Sequence, residues 1–353
     1  MSSELNSILG ASCPVPITET PRILLGHGSG GRLTAKLVDE IILPAFRNPL
    51  LEPLDDAAII SPGAGRIAFT TDSYVVTPIF FPGGDIGDLA VNGTVNDLAV
   101  SGARPIALSL AFILEEGFPI HELERIIGSI RRAAAAADVL VATGDTKVVG
   151  RGCADKIFIN TSGVGVVPDG VDVSARRVRA GDAVLLSGTV GDHGVAILSR
   201  REGLEFGGEI VSDTAPLNGL ITTLLGACSE VHAMRDPTRG GVASTLVEIA
   251  TRQNLGIQID EALVPLHDAV RGACEMLGLD PLLVANEGKV VVFVPEHRAD
   301  VALAAMRAHP LGRGAVRIGH VTSEHPGAVW VRTPIGGERV LELPFAEMLP
   351  RIC

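Results

Sequence analysis

The sequence predicts an α/β (α+β) protein built as two domains, and three observations support that class. At 353 residues the chain is long enough for two separate cores. Its composition, 46% hydrophobic and 20% charged with only 3% aromatic, suits sheets and helices packed from Val, Ile, Leu and Ala. Apolar runs of strand length alternate with helical periodicity on both sides of a basic, polar stretch, Ser174–Gly181, which reads as a linker.

Residues 1–21 are polar and carry Pro14, Pro16 and Pro21, as an unpacked arm would. The cluster Gly26-His27-Gly28-Ser29-Gly30-Gly31 then leads into a helical pattern from Leu33 to Ile42, so 1–45 reads as an arm, a Gly-rich lid and a helix. The first sheet domain spans 46–170. Leu54–Ile60 and Arg66–Asp72 are strands joined by a Pro-Gly turn at Ser61–Gly65. A helix over Asp85–Gly102, a strand over Ile106–Leu114 and an amphipathic helix over Pro119–Ala137 follow, the last with Pro in its first turn. Val139–Lys147 is a strand running into a polar loop, and Lys156–Val167 closes the set.

The second domain spans 174–335. It opens with strand Ala183–Gly188, and Gly188–Gly194 leads into a helix through Leu198, a turn suited to an anion. Val231–Met234 runs into the charged turn Arg235–Gly241 and a helix carrying Val242, Leu246, Val247 and Ile249. Leu282–Lys289 precedes strand Val290–Val294, and a helix over Glu296–His309 and two strands finish the fold. Residues 336–353 read as a mobile tail, hinged at Gly336 and Gly337, that ends in Cys353.

A net charge of −12 makes a nucleic-acid backbone an improbable partner. The start, Met1-Ser-Ser-Glu-Leu-Asn, lacks the form of a signal peptide, and no apolar run has the length of a membrane span. The five cysteines are widely scattered, which fits neither a disulfide framework nor a zinc site, so a reducing cytoplasm is expected and Cys353 stays a thiol.

Gly26, Gly28 and Gly31 match a dinucleotide-binding turn, but the preceding strand is too short and the pair Asp55-Asp56 replaces a second strand ending in one acid. A lid over phosphates, or a plain turn, fits better. Asp55, Asp56, Asp72, Asp97 and Asp145 sit beside small residues at the ends of apolar segments, where carboxylates can converge on Mg²⁺ and nucleotide phosphates. Each taken singly is an ordinary cap or turn residue. No G-x-x-x-x-G-K-[ST] occurs, which excludes a P-loop. Lys147 is either a phosphate contact or a surface lysine, and Glu287 either a buried, perturbed acid or a turn residue facing water.

Together, Thr71–Asp85, Val95–Pro105, Thr143–Val148, Arg235–Gly241, Asn286–Gly288 and the terminal Pro350-Arg351-Ile352-Cys353 resemble the HypE family of hydrogenase maturation factors, carbamoyl dehydratases of the aminoimidazole ribonucleotide synthetase (PurM-like) superfamily. The resemblance runs from Gly26 to the end of the chain. It implies a PurM-like two-domain architecture, a homodimer paired through the first domains, and a site for ATP and Mg²⁺ between the domains. It further implies that a HypF carbamoyltransferase loads the Cys353 thiol, that dehydration yields a thiocyanate, and that the cyanide passes to iron held by a HypC–HypD complex. On that footing Asp56, Asp72, Asp97 and Asp145 are the expected metal ligands. Gly26, Gly28, Gly30, Gly31, Asp55, Asp72, Asn96, Gly144, Thr146, Asp236 and Arg239 are expected around the nucleotide. Glu287 and Lys147 are expected to share proton transfer and phosphate contact, in roles that can be exchanged. A small-molecule kinase or synthetase, and a non-catalytic assembly scaffold, are the competing classes.

Overall fold

The structure is a computed structural model that describes residues 31–37, 39–40, 52–55, 58–60, 65–204, 208, 210–344, 349 and 351–353. Gly26, Gly28, Gly30 and Asp56, all expected at the site, lie outside the described residues.

After a short helix α1 (Arg32–Leu37), the first domain runs β1 (Ala58–Ile60), β2 (Arg66–Tyr74), the ribbon β3 (Phe80–Phe81) and β4 (Gly84–Asp85), α2 (Ile86–Val100), β5 (Arg104–Glu115), α3 (Ile120–Ala136), β6 (Leu140–Val149) and β7 (Ile157–Val167). Its five-stranded sheet has the order β1-β2-β7-β5-β6. All pairings are antiparallel except β5 with β6, which α3 connects as a parallel crossover. The expected β1–β2 hairpin is present, with Ala58 opposite Phe69. β6 runs further than expected. Val148 and Val149 continue the pairing with Leu114 and Glu115, and the polar residues 143–147 belong to an edge strand that meets water rather than to a loop.

α2 begins where Asp85 accepts the N–H groups of Gly87 and Asp88 while the Asp88 carboxylate accepts the Asp85 N–H, a reciprocal cap. All its residues except Asp88 and Asp97 are buried, as expected of a helix apolar on every side. One side packs on β2, β5 and β7 of its own sheet. The other meets the second domain.

That domain runs β8 (Asp182–Leu186), α4 (Asp192–Glu202), α5 (Asn218–Ala227), β9 (Ala233–Arg235), α6 (Gly241–Gln253), β10 (Gly256–Asp260), α7 (Asp268–Leu277), β11 (Val291–Pro295), α8 (Ala299–Ala308), β12 (Val316–Thr322), β13 (Val329–Arg332) and β14 (Glu338–Val340). The seven strands lie in the order β14-β13-β10-β12-β8-β11-β9, with β8 and β11 buried on both faces. α5 and β9 are the elements that rest on α2. No described helix is long and apolar enough to cross a membrane.

The glycines taken as a tail hinge have another role. Gly336, at φ +86°, and Gly337 close a tight turn in which Thr333 N–H donates to the Gly337 carbonyl at 2.8 Å, and β14 then pairs back on β13. Leu341 is buried beyond it, with its N–H on the Val329 carbonyl at 2.8 Å. The chain therefore leaves the sheet only after residue 341.

Loop 286–288 crosses loop 213–215 so closely that a Cβ on Gly288 would lie 1.9 Å from the Asp213 carbonyl oxygen. Gly288→Ala is expected to destabilise the fold by about 1–3 kcal/mol. Thermal unfolding should register this as a drop of roughly 2–10 °C.

Candidate active site at the docked C-terminus

Residues 351–353 return to the first domain and lie antiparallel to residues 75–77, just past β2. Val75 N–H donates to a main-chain oxygen of Cys353 at 3.2 Å and Thr77 N–H to the Arg351 carbonyl at 3.2 Å. Arg351 takes a left-handed backbone, φ +50°, which a bulky residue adopts only when its surroundings hold it there. Its Nε donates to the Val75 carbonyl at 2.8 Å, and Nη1 pairs with Asp155, whose carboxyl that guanidinium holds below the usual range. From α4, Arg201 donates to the Thr77 carbonyl at 2.9 Å and to the Arg351 carbonyl at 2.8 Å. Ile352 is buried in the cluster that contains Tyr74, Val76, Ile197 and Ala285, and half-buried Cys353 packs against the same cluster. The terminus is thus built into the interdomain core rather than frayed.

Beside it lies Glu287, 2% exposed. Its main chain is pinned on both sides: Glu287 N–H donates to Asp213 Oδ1 at 3.0 Å, and Asn96 Nδ2 donates to the Glu287 carbonyl at 3.1 Å. The same amide donates to the Ala215 carbonyl at 3.1 Å, and Asn96 Oδ1 accepts the Leu217 N–H at 2.7 Å. Asn286 binds three loops, accepting from Gly191 N–H at 2.8 Å and donating to the carbonyls of Pro237 and Val284 at 2.9 and 3.1 Å. Glu287 Oε1 is buried with no hydrogen-bond partner among the described residues. Burial pushes this carboxyl well above its ordinary value, Asp213, Asp236 and Asp72 push it further, and Arg239 opposes them.

Asp236, also buried, is raised to about 6 by the loss of water, with Arg235 opposing and Asp72 adding to the shift. Arg239 is held on its proton most strongly by Cys353, then by Asp72, Glu287 and Tyr74, against the cost of burial. One guanidinium therefore lies in the electrostatic field of the terminal cysteine, two carboxylates and a phenol. Behind Asp213, Lys289 Nζ lies 2.9 Å from Asp213 and 4.0 Å from Asp192, and Asp192 in turn meets His267 at 2.7 Å.

Cys353, Glu287, Arg239, Asp236 and Asp72 are thus brought together, with Asn96 as the brace of the Glu287 loop. Asp97, on α2, accepts the Thr70 hydroxyl at 2.9 Å. Gly144, Asp145, Thr146 and Lys147 stand apart within one chain. Asp72 is opposite Thr161, Thr161 opposite Leu110, and Leu110 opposite Gly144. That register separates β6 from Asp72 by three strand spacings, about 14 Å. Lys147 pairs with Asp145 at 2.8 Å on this exposed edge, and the ammonium holds the Asp145 carboxyl below its usual range. Asp55 is occupied in capping the linker, accepting from Ser174 Oγ at 2.8 Å and Ala175 N–H at 3.2 Å. The Gly31 carbonyl accepts Ala35 N–H at the start of α1, and the next residue, Arg32, donates its N–H to the Pro344 carbonyl at 3.2 Å, so this end of the Gly-rich segment touches the tail.

Sequence reasoning missed Asp213, Tyr74 and His193. Asp213 lies in an unmarked loop. Tyr74 looked like one more strand residue, and His193 was absorbed into a presumed anion turn.

Among the described residues no three His, Cys, Asp or Glu side chains converge as a ready metal site. Mg²⁺ asks for less, one or two carboxylates with water and phosphate oxygens supplying the rest. Asp72, which raises both Asp236 and Glu287 through space, fits such a cation.

Two family models match the chain: the AIR synthase related protein N-terminal domain over residues 54–167 and the C-terminal domain over residues 179–332. The carbamoyl dehydratase HypE of Cupriavidus necator is 51% identical over 346 residues, covering 98% of each chain. A crystal structure of HypE in complex with ATP is 49% identical with a TM-score of 0.80, covering 94% of this chain and 100% of that one. A crystal structure of a HypE–HypF complex is 47% identical with a TM-score of 0.83, covering 87% and 99%. The chain belongs to the HypE family of carbamoyl dehydratases, built on the two AIR synthase related domains.

Proposed function

We infer that this chain dehydrates a carbamoyl group carried on its own Cys353, with ATP as the phosphoryl donor, leaving a thiocyanate that supplies cyanide for the iron of a [NiFe]-hydrogenase. The observation that carries this reading is the docked terminus, which seats Cys353 in the interdomain core that also holds Ala285, two residues before the buried Glu287. Membership of the HypE family and its ATP-bound relative support it.

Water is hard to remove from S–C(=O)–NH₂ because the oxygen is a poor leaving group. Attack of that oxygen on the γ-phosphorus of ATP breaks the bond to ADP and turns the oxygen into part of a phosphate ester. The carbon–oxygen bond then breaks as nitrogen loses both protons and the C≡N bond forms. The lost oxygen leaves in inorganic phosphate, beside ADP and the protein thiocyanate. Glu287 suits the base: the main chain that carries it is pinned on both sides, and its raised proton affinity suits it to proton transfer. Arg239 suits the accumulating negative charge.

Mg²⁺, when bound, neutralises the transferring phosphate. Asp72 would hold it, with the expected ligands Asp56, Asp97 and Asp145. For Asp145 and Lys147 this requires a second copy of the chain. A homodimer is supported by the outer face of the first sheet, which exposes Phe69, Ile106 and Ile113, and by the bare edge strand β6, where Leu140 is 73% and Val148 67% exposed. In such a pair the edge carrying Gly144, Thr146 and Lys147 meets the second copy, where Lys147 can serve phosphate. The loading partner is a HypF-type carbamoyltransferase, in keeping with the HypE–HypF complex. A HypC–HypD complex is the proposed cyanide acceptor, and the chemistry of a free terminal thiol favours the cytoplasm.

Carbamoylated protein incubated with Mg-ATP should lose the mass of one water, read by intact-protein mass spectrometry, and Cys353→Ala should take up no carbamoyl group. An unchanged mass during ATP turnover overturns the reading. Glu287→Gln should slow the loss of water by about 10²-fold or more. The same variant tests the buried acid by stability. Because the folded chain keeps the Glu287 proton where the unfolded chain releases it, near 4.5, wild-type stability falls as pH rises above that point. The melting temperature of Glu287→Gln should therefore gain on wild type by roughly 2–4 °C across the first pH unit above it.

A further inference from the structure

The docked terminus is gripped by groups that the dehydration itself does not employ. His193, in the first turn of α4, has no exposed surface and sits edge-on to the Phe81 ring, with centroids 5.6 Å apart. Its Nδ1 is 2.8 Å from Ser212 Oγ and its Nε2 is 2.7 Å from the Ile352 carbonyl. Ser212 Oγ accepts the Thr214 N–H at 3.2 Å, and Ser212 N–H is itself fixed on the Pro82 carbonyl at 2.8 Å. Since the Ile352 carbonyl can only accept, the neutral ring carries its proton on Nε2 and donates it there, and Nδ1 accepts the Ser212 hydroxyl proton. Burial, by lowering the proton affinity of the ring, keeps it in this neutral form.

We propose that His193, oriented by Ser212, is a positioning residue that reads the Ile352 carbonyl and, with Arg201 and the Arg351–Asp155 pair, makes residues 75–77 a recognition groove for a C-terminal Arg-Ile-Cys peptide. The inference rests on the dehydratase reading for its consequence, though not for the grip itself. Hydrogen bonds that hold the tail include those on the main chain of residues 351–353 and on the Arg351 guanidinium. A groove that reads main chain and one cation, with Ile352 filling an apolar seat, accepts the same tail before and after Cys353 carries a carbamoyl group. The strand-like pairing fixes where the cysteine side chain points, and the Ile352 carbonyl, one peptide unit before it, is the contact that sets its depth.

The grip is measured on the full-length protein as the rate at which iodoacetamide alkylates Cys353, with exposed Cys153 in the same molecule as reference. His193→Leu, close in volume but without a donor, should raise the Cys353 rate about tenfold relative to Cys153, the cost of one hydrogen bond to a buried acceptor. His193→Gln, which restores an N–H donor, should remain within about threefold of wild type. Should His193→Leu fail to fold, Arg201→Ala is the second variant and should raise the rate by a similar factor. In the carbamoylated protein, the variants that loosen the tail should lose water more slowly with Mg-ATP by a factor well below tenfold, since most termini remain docked when the exposed fraction rises tenfold. Wild-type protection of Cys353 in both His193→Leu and Arg201→Ala, or a His193→Gln no better than His193→Leu, overturns the proposal. Failure of wild type to lose water overturns the dehydratase reading instead, and the alkylation ratios still decide the groove.

Discussion

Taking the carboxyl of Glu287 out of water is the constraint on which the rest of the structure depends. An ionised carboxylate buried without a partner is costly, and the fold answers by restraint rather than by solvation. Its N–H is fixed by Asp213, its carbonyl by Asn96, and the preceding Asn286 ties down the loops on either side. The side chain is left buried, with a raised proton affinity. Gly288 completes the restraint, because any side chain there would displace the loop that carries Asp213.

The same contacts hold the two domains together. Asn96 belongs to α2, a helix of the first domain, yet its amide and carbonyl are used on residues 215, 217 and 287 of the second. The site and the domain interface are therefore one object. A rotation of the second domain on α2 moves Glu287 relative to the groove at residues 75–77, and such a motion must break hydrogen bonds buried on both sides.

The fold was largely legible in the sequence because its signals are periodic. The α2 cap at Asp85, the Pro before α3 and the hairpin from β1 to β2 all stand where turn and capping chemistry put them. Local patterns failed where context decided. Polar residues 143–147 resembled a loop because an edge strand needs no apolar face, and Gly336-Gly337 resembled a hinge although they serve a hairpin turn. At the site, Cys353, Glu287, Asp72, Asp236 and Arg239 were found from motifs, whereas Asp213 and His193 were not. Their roles come from contacts spanning 74 and 159 residues of chain, which no short window holds. Lys147 and Asp145 belong to the motif but not to the single-chain cluster, since the sheet order places β6 three strands from Asp72, which no sequence pattern states.

The grip on the tail combines a few main-chain hydrogen bonds, each contributing about 0.5–1.5 kcal/mol net, with the Arg351–Asp155 pair and the seat of Ile352, against an Arg351 backbone held in a left-handed conformation. Because catalyst and substrate are one polypeptide, the cysteine reaches the acid at an effective concentration set by the tether beyond residue 341, and its conversion is first order whatever the protein concentration. Tighter docking would gain little rate at that local concentration. It would, however, reduce the fraction of molecules presenting the thiol outside, and with it the apparent affinity for any enzyme that loads it. A modest grip is thus the compromise between two encounters that compete for the same three residues.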